Sequence, residues 1–141
     1  MQALIVDNSA SVRALLKRML VELGIAVATV GNGSDALAKM AQAAPDVVLI
    51  SAHAPGMNGL ALLREIRRQP HSASLKVFLL IAESYGAGAS LALAAGADAC
   101  LSMPFTPEMV GEALRLAGLA PLPLAFVDQR FEPLEAGIEL C

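Results

Sequence analysis

Residues 45–59 read PDVVLISAHAPGMNG. Pro45 ends whatever precedes it. Asp46–Ser51 is then a short run of Val, Leu and Ile that suits a strand. The loop that follows, AHAPGMNG, is rich in Gly and Pro. The same alternation continues on both sides. Upstream, Gln2–Val6 is an apolar run ending at Asp7, too short for a helix and suited to a strand buried on both faces. A helical stripe follows at Val12, Leu15, Leu16, Met19, Leu20 and Leu23, with Arg13, Lys17 and Arg18 pointing away. Gly24 stops it. Ile25–Val30 is a second strand, closed by Gly31-Asn32-Gly33. Ser34 can cap a second helix running to about Ala43, with Leu37, Met40 and Ala41 inward.

Downstream, Leu60–Gln69 reads as a third helix and Leu75–Ile81 as a fourth strand. Ser84–Ala95 is an Ala-rich helix stopped by Gly96, and Ala99–Met103 is a fifth strand. Thr106-Pro107-Glu108 supplies a cap, a Pro in the first turn and an early acid, so a last helix runs to about Ala117. Five strands alternating with five helices imply right-handed crossovers. The expected fold is α/β, a five-stranded parallel sheet doubly wound with helices on both faces, over residues 1–117. In such sheets sites form where the C-terminal ends of strands meet loops. Asp7, Ser51, Ile81 and Met103 stand at or near those ends. Residues 118–141 carry three Pro and two Gly and break the alternation. They read as a short C-terminal extension, with Leu124–Val127 as a possible extra strand, or as a linker.

Composition narrows the function. The chain has 141 residues, enough for one ordinary domain, and 56% of them are apolar. The net charge of -3 provides no basic field for a phosphate backbone, so no nucleic-acid partner is expected. Two cysteines, Cys100 and Cys141, do not make a disulfide framework, which points to a reducing cytoplasm. The start MQALIVDNS lacks a basic region and a small-residue cleavage site. No apolar run reaches the roughly 20 residues that span a bilayer. The expectation is a cytoplasmic protein with no membrane contact.

The segments LIVDNS, PDVVLIS, APGMNG and AGADACLSMPF, in this order and spacing, resemble the CheY-like receiver domain of two-component systems. The match covers roughly residues 2–117. In that family the first strand ends in a pair of acids and the third in an Asp that takes a phosphoryl group. A Thr or Ser ends the fourth strand, a Lys precedes the Pro after the fifth, and the acids hold a divalent metal, usually Mg²⁺. Here Asp7 matches the first acid, while Asn8 stands for the second and Ser51 for the phosphoacceptor. His53 takes the place of a residue whose carbonyl helps hold the metal, Ile81 replaces the switch hydroxyl, and Met103 replaces the Lys. Pro104 and Phe105 match.

These departures belong together. Mg²⁺ is a hard ion usually bound through carboxylates and phosphate oxygens, and Asp7 alone is too little. A Ser hydroxyl without an adjacent base is a weak nucleophile. Ile81 donates no hydrogen bond. A Lys beside a depleted acid cluster would be poorly compensated, and Met fills the space without charge. The resemblance therefore implies a degenerate pocket of Asp7, Asn8, Ser51, His53, Ile81 and Met103, with no catalytic residue, no cofactor and no metal.

Bland readings stand beside sharper ones. Ser51 reads as a small polar residue closing a strand, and His53 as a solvated loop residue rather than a ligand. Gly31–Ala36 fits G-x-G-x-x-A, but follows the second strand and reads as a strand-to-helix turn. Arg64, Arg67 and Arg68 on the third helix could hold an anionic partner, and Glu65 dilutes them. The uncharged stretch from Ser84 to Ala97 suits a partner-binding face, although a small, closely packed helix would look the same. The expected face comprises Tyr85, Leu91, Leu93, Cys100 and Ser102. Together these features predict an atypical receiver, a pseudo-receiver, that works through a protein partner without Asp phosphorylation. That partner is a signalling kinase, an effector or a second copy. The alternative is a regulator binding a cyclic dinucleotide or a metal in the pocket or on the Arg-rich helix.

Overall fold

The structure, a computed structural model, describes residues 1–51, 58–69, 74–81, 96–102 and 106–119, and the backbone of 138–140. The expectations placed on His53, Met103, Tyr85, Leu91, Leu93, the helix at 84–95 and the possible strand at 124–127 lie outside these residues.

Strands β1 (Gln2–Val6), β2 (Ala26–Val30), β3 (Val47–Ser51), β4 (Lys76–Ile81) and β5 (Ala99–Ser102) pair in parallel. A sixth, β6 (Ile138–Leu140), pairs antiparallel with β5, setting Ala99 opposite Leu140 and Leu101 opposite Ile138. The sheet order is β2-β1-β3-β4-β5-β6. The five-stranded parallel sheet is as expected from the sequence, and β6 is an addition to it. Three residues without a long apolar run leave little periodicity to read, so β6 was not foreseen at that place.

The helices are α1 (Ala10–Glu22), α2 (Gly33–Gln42), α3 (Gly59–Arg68) and α4 (Pro107–Leu116). Each starts at a side-chain cap. Ser9 accepts from the Val12 N–H at 3.3 Å, Asn58 from Ala61 at 3.0 Å, and Thr106 from Met109 at 3.1 Å with Pro107 next to it. Asn32, not Ser34, caps α2, accepting from the Asp35 N–H at 2.8 Å. The Asn side chain reaches the third N–H of the turn, which places Ser34 already inside the helix. After α1, Gly24 takes φ +81°, a conformation that suits glycine.

Two apolar clusters fill the two faces of the sheet. Ala3, Ile5, Leu49, Phe78, Leu80 and Leu101 meet α1 and α4. Leu4, Val6, Ile50, Leu79, Ile81 and Cys100 meet α2 and α3. Strand alternation sorts the residues, because neighbours along a strand point to opposite faces. The helical stripe read for α1 holds except at Leu15, which is 47% exposed. It lies about 100° around the helix from Leu16, and Leu16, Met19 and Leu20 take the sheet-facing stripe. Ala41 is likewise exposed rather than inward, and Ala36 is the buried residue of α2.

A polar staple fastens the end of α3 to the turn entering β5. Arg67 donates through Nε to Gly96 O at 2.9 Å and through Nη1 to Leu75 O at 2.8 Å. Its Nη2 donates to Asp98 Oδ2 at 2.6 Å, and the same oxygen accepts the Val77 N–H at 2.8 Å. Gly96 sits at φ +102°, and a Cβ there would come 3.1 Å from Arg67 Cγ. On α4, Glu112 is buried and its carboxylate is held by the Arg115 guanidinium. The hydrogen bond and charge of Glu112 raise the Arg115 pKa above its ordinary value.

The Arg67 and Asp98 side chains are 21% and 29% exposed, so the staple is shielded only in part. Asp98→Ala should therefore cost about 2 kcal/mol, read as a lower urea midpoint at unchanged slope. Arg68→Ala, which removes the exposed pair with Glu65, should change stability by under about 0.5 kcal/mol. Equal effects would contradict the staple. Arg115→Ala strands the buried Glu112 carboxylate and should lower the melting temperature, and adding Glu112→Leu should restore most of the loss. A double variant no better than the single one would show that the carboxylate is not buried at a cost.

Candidate functional site

The parallel register brings the strand C-terminal ends into a row. Val6 lies opposite Ile50, so Asp7 and Ser51 follow side by side on adjacent strands. Ser51 lies opposite Leu80, and Ile81 opposite Ser102. The structure thus gathers Asp7, Ser51, Ile81 and Ser102 at one margin of the sheet, with Asn8 exposed just beyond β1.

Asp7 is 3% exposed and held from three directions. Its Oδ1 accepts the Ser9 N–H at 2.8 Å, its N–H donates to Val30 O at 3.2 Å, and its carbonyl accepts from Arg13 Nη1 at 2.6 Å. The carboxylate therefore serves the turn from β1 into α1. Arg13 was expected to point away, yet it is half-buried and reaches back over the strand end. Helical periodicity shows only that Arg13 sits on the flank of the apolar stripe. It carries no sign of a bond to a carbonyl six residues earlier.

Ser51 is 2% exposed. By alternation its side chain follows Val47 and Leu49 toward the α1 and α4 side. Ile81 is buried in the opposite cluster, with Leu63 and Ile66 of α3. Of the residues expected on a partner face, Cys100 is fully buried in that same cluster and Ser102 is half-buried. Cys100 thus backs the sheet and does not present its thiol to a partner. The reason is again alternation, since it follows on from Leu79 and Ile81 across the β4–β5 pair.

The donor set does not fit the divalent ion that the family resemblance implies. Asp7 is the carboxylate at the described strand ends, and it already accepts from Ser9. Asn8 is neutral, and Ser51 offers a hydroxyl. Among the described residues no three His, Cys, Asp or Glu gather as a metal site. A hard ion that keeps near-ideal octahedral oxygen ligands finds too little negative charge here. The three arginines of α3 do not form a free anion clamp either. Arg67 is committed to the staple and Arg68 to Glu65, which leaves Arg64 exposed. A cavity of about 240 Å³, lined by Leu4, Ala26, Ala28, Lys39, Ala43 and Pro45 among others, lies toward the strand N-terminal ends, away from Asp7 and Ser51.

Known proteins match both the sequence and the fold. The family model described as response regulator receiver domain matches residues 3–115. The DNA-binding transcriptional regulator NtrC of Salmonella typhimurium is 38% identical over 101 residues, 72% of this chain and 21% of NtrC. The DNA-binding response regulator MtrA of Mycolicibacterium paratuberculosis is 32% identical over 105 residues, 74% of this chain and 45% of MtrA. The chain thus spans from about a fifth to under half of the length of these relatives. Chemotaxis response regulator CheY4 of Vibrio cholerae superposes with a TM-score of 0.75 at 29% identity, covering 82% of this chain and 97% of that one. The receiver domain of NtrX from Brucella abortus superposes with 0.76 at 27% identity, covering 82% and 96%. The chain belongs to the response regulator receiver domain family of two-component signalling.

Proposed function

We propose that this receiver is a pseudo-receiver: it signals through a protein partner and accepts no phosphoryl group on an aspartate. Receiver domains are signalling modules, and the observation that carries the proposal is the pair at the strand ends. Ser51 closes β3 where the family resemblance expects the phosphoacceptor, and the neighbouring Asp7 carboxylate is already bonded to the start of α1. A buried serine whose neighbouring carboxylate is already hydrogen-bonded to the Ser9 N–H does not attack a phosphodonor readily. Asn8, Ile81 and Met103 fit the same reading, since each replaces a charged or hydrogen-bonding group with a neutral one. In this reading the chain is no enzyme and needs no cofactor.

The partner is a signalling kinase, an effector or another copy, met on the face that includes Tyr85, Leu91, Leu93 and Ser102. The receiver unit is residues 1–117, with 118–141 as its extension. The net charge of -3 favours protein over nucleic acid, and the setting is cytoplasmic. Among the described residues no helix is long and apolar enough to cross a membrane. The relatives named DNA-binding are longer than this chain, and this stretch is proposed not to touch DNA itself.

Incubation with a small phosphodonor and Mg²⁺, followed by intact mass, should return the unmodified chain. Mass added for one phosphoryl group would contradict the proposal. Leu91→Lys should weaken capture of the partner kinase or effector at least tenfold, and unaltered capture would remove this face from the reading.

A further inference from the structure

The two edges of the sheet differ. β6 covers the β5 edge, whereas β2 ends the sheet on the other side, and among the described residues no strand pairs with its outer edge. Exposed sheet edges are usually blocked with charges, Pro or bulges. From Leu23 to Ser34 this chain has no charged residue and no Pro. Ala26 and Thr29 are exposed, and the remaining β2 residues are half-buried.

The backbone says which groups are open. The Ala26 N–H donates to Met1 O and the Val30 carbonyl accepts the Asp7 N–H, both at 3.2 Å. In a parallel ladder a residue turns both its groups to one neighbour, and the next residue turns both away. Ala26, Ala28 and Val30 therefore face β1, while Val27 and Thr29 present N–H and C=O outward. The Ile25 N–H is already taken by Leu20 O at 3.0 Å.

We propose that the β2 edge docks a second copy of this chain, β2 against β2 antiparallel, with a two-fold axis through Ala28. This register sets Val27 of one copy opposite Thr29 of the other, so each pair exchanges hydrogen bonds in both directions. Ala28 then faces Ala28. A register centred on Val27 would set Thr29 against Ile25, whose N–H is used. One centred on Thr29 would set Val27 against Gly31. The pairing is isologous and closes at two copies. Of the charges near β2 two bases and two acids balance, and Lys39, which lines the cavity beside Ala26 and Ala28, adds one base per copy. Arg18 pairs with Glu22 before the strand, and Arg13 and Asp35 flank its end. The inference is independent of the pocket and of the face around Leu91.

Sedimentation velocity of the full chain over a concentration series tests it. The wild-type chain should shift from one to two copies as concentration rises. Thr29→Lys, at an exposed position, and Val27→Pro, which removes an outward N–H, should each weaken association at least tenfold with unchanged circular dichroism. If Val27→Pro unfolds the chain, Thr29→Lys decides alone. In a Cys141→Ser background, Ala28→Cys should form a disulfide-linked dimer, since facing Cα atoms in such a pair stand about 4.5 Å apart. A wild-type chain that stays single throughout, or a dimer that survives Thr29→Lys, overturns the proposal. So does a dimer dissociated by Leu91→Lys instead.

Discussion

The rest of the molecule depends on the burial of β3. Val47–Ser51 is buried from end to end and hydrogen-bonded to β1 on one side and β4 on the other. A strand so enclosed has a single workable register, because a slip of one residue would exchange its two faces. That register sets Ser51 beside the end of β1 and opposite Leu80. It also divides the core, with Val47 and Leu49 under α1 and α4, and Val48 and Ile50 under α2 and α3. The strand ends that form the site in this fold are placed by this arrangement, whatever residues occupy them.

What occupies them here is mostly neutral and mostly engaged. The Asp7 carboxylate helps start α1, and its carbonyl anchors Arg13. Ile81 is part of the core. At this margin Asp7 is tied into the turn from β1 to α1, and Ile81 into the core beneath α2 and α3. Among the described residues no buried side-chain polar atom lacks a partner. Stability elsewhere comes from contacts far apart in sequence. Arg67 and Asp98 join α3, β4 and the approach to β5 in one cluster of hydrogen bonds.

The parallel fold and the row of strand-end residues were legible because both follow from local periods. Buried strands read as short apolar runs, and helices as stripes with caps. The misreadings have equally physical causes. Leu15 fits a broad apolar stripe but lies at its margin, and only packing decides that it stays in water. Asn32 and Ser34 are both good caps, and the choice between them depends on where the strand ends. Arg13, Arg67 and Asp98 act through hydrogen bonds to backbone and side chains outside their own turn, which no period records. Cys100 was placed on an outer face, whereas strand alternation sends it inward.

The most direct test of the proposed pseudo-receiver is an amide chemical-shift titration of the full chain with Mg²⁺ and beryllofluoride, a stable mimic of a phosphoryl group. In that reading the Asp7 carboxylate, bonded to the start of α1, leaves the Asp7, Asn8 and Ser51 resonances where they were. Saturable shifts at those residues, spreading to Ile81 and Ser102, would contradict it and return this chain to the phosphorylated receivers.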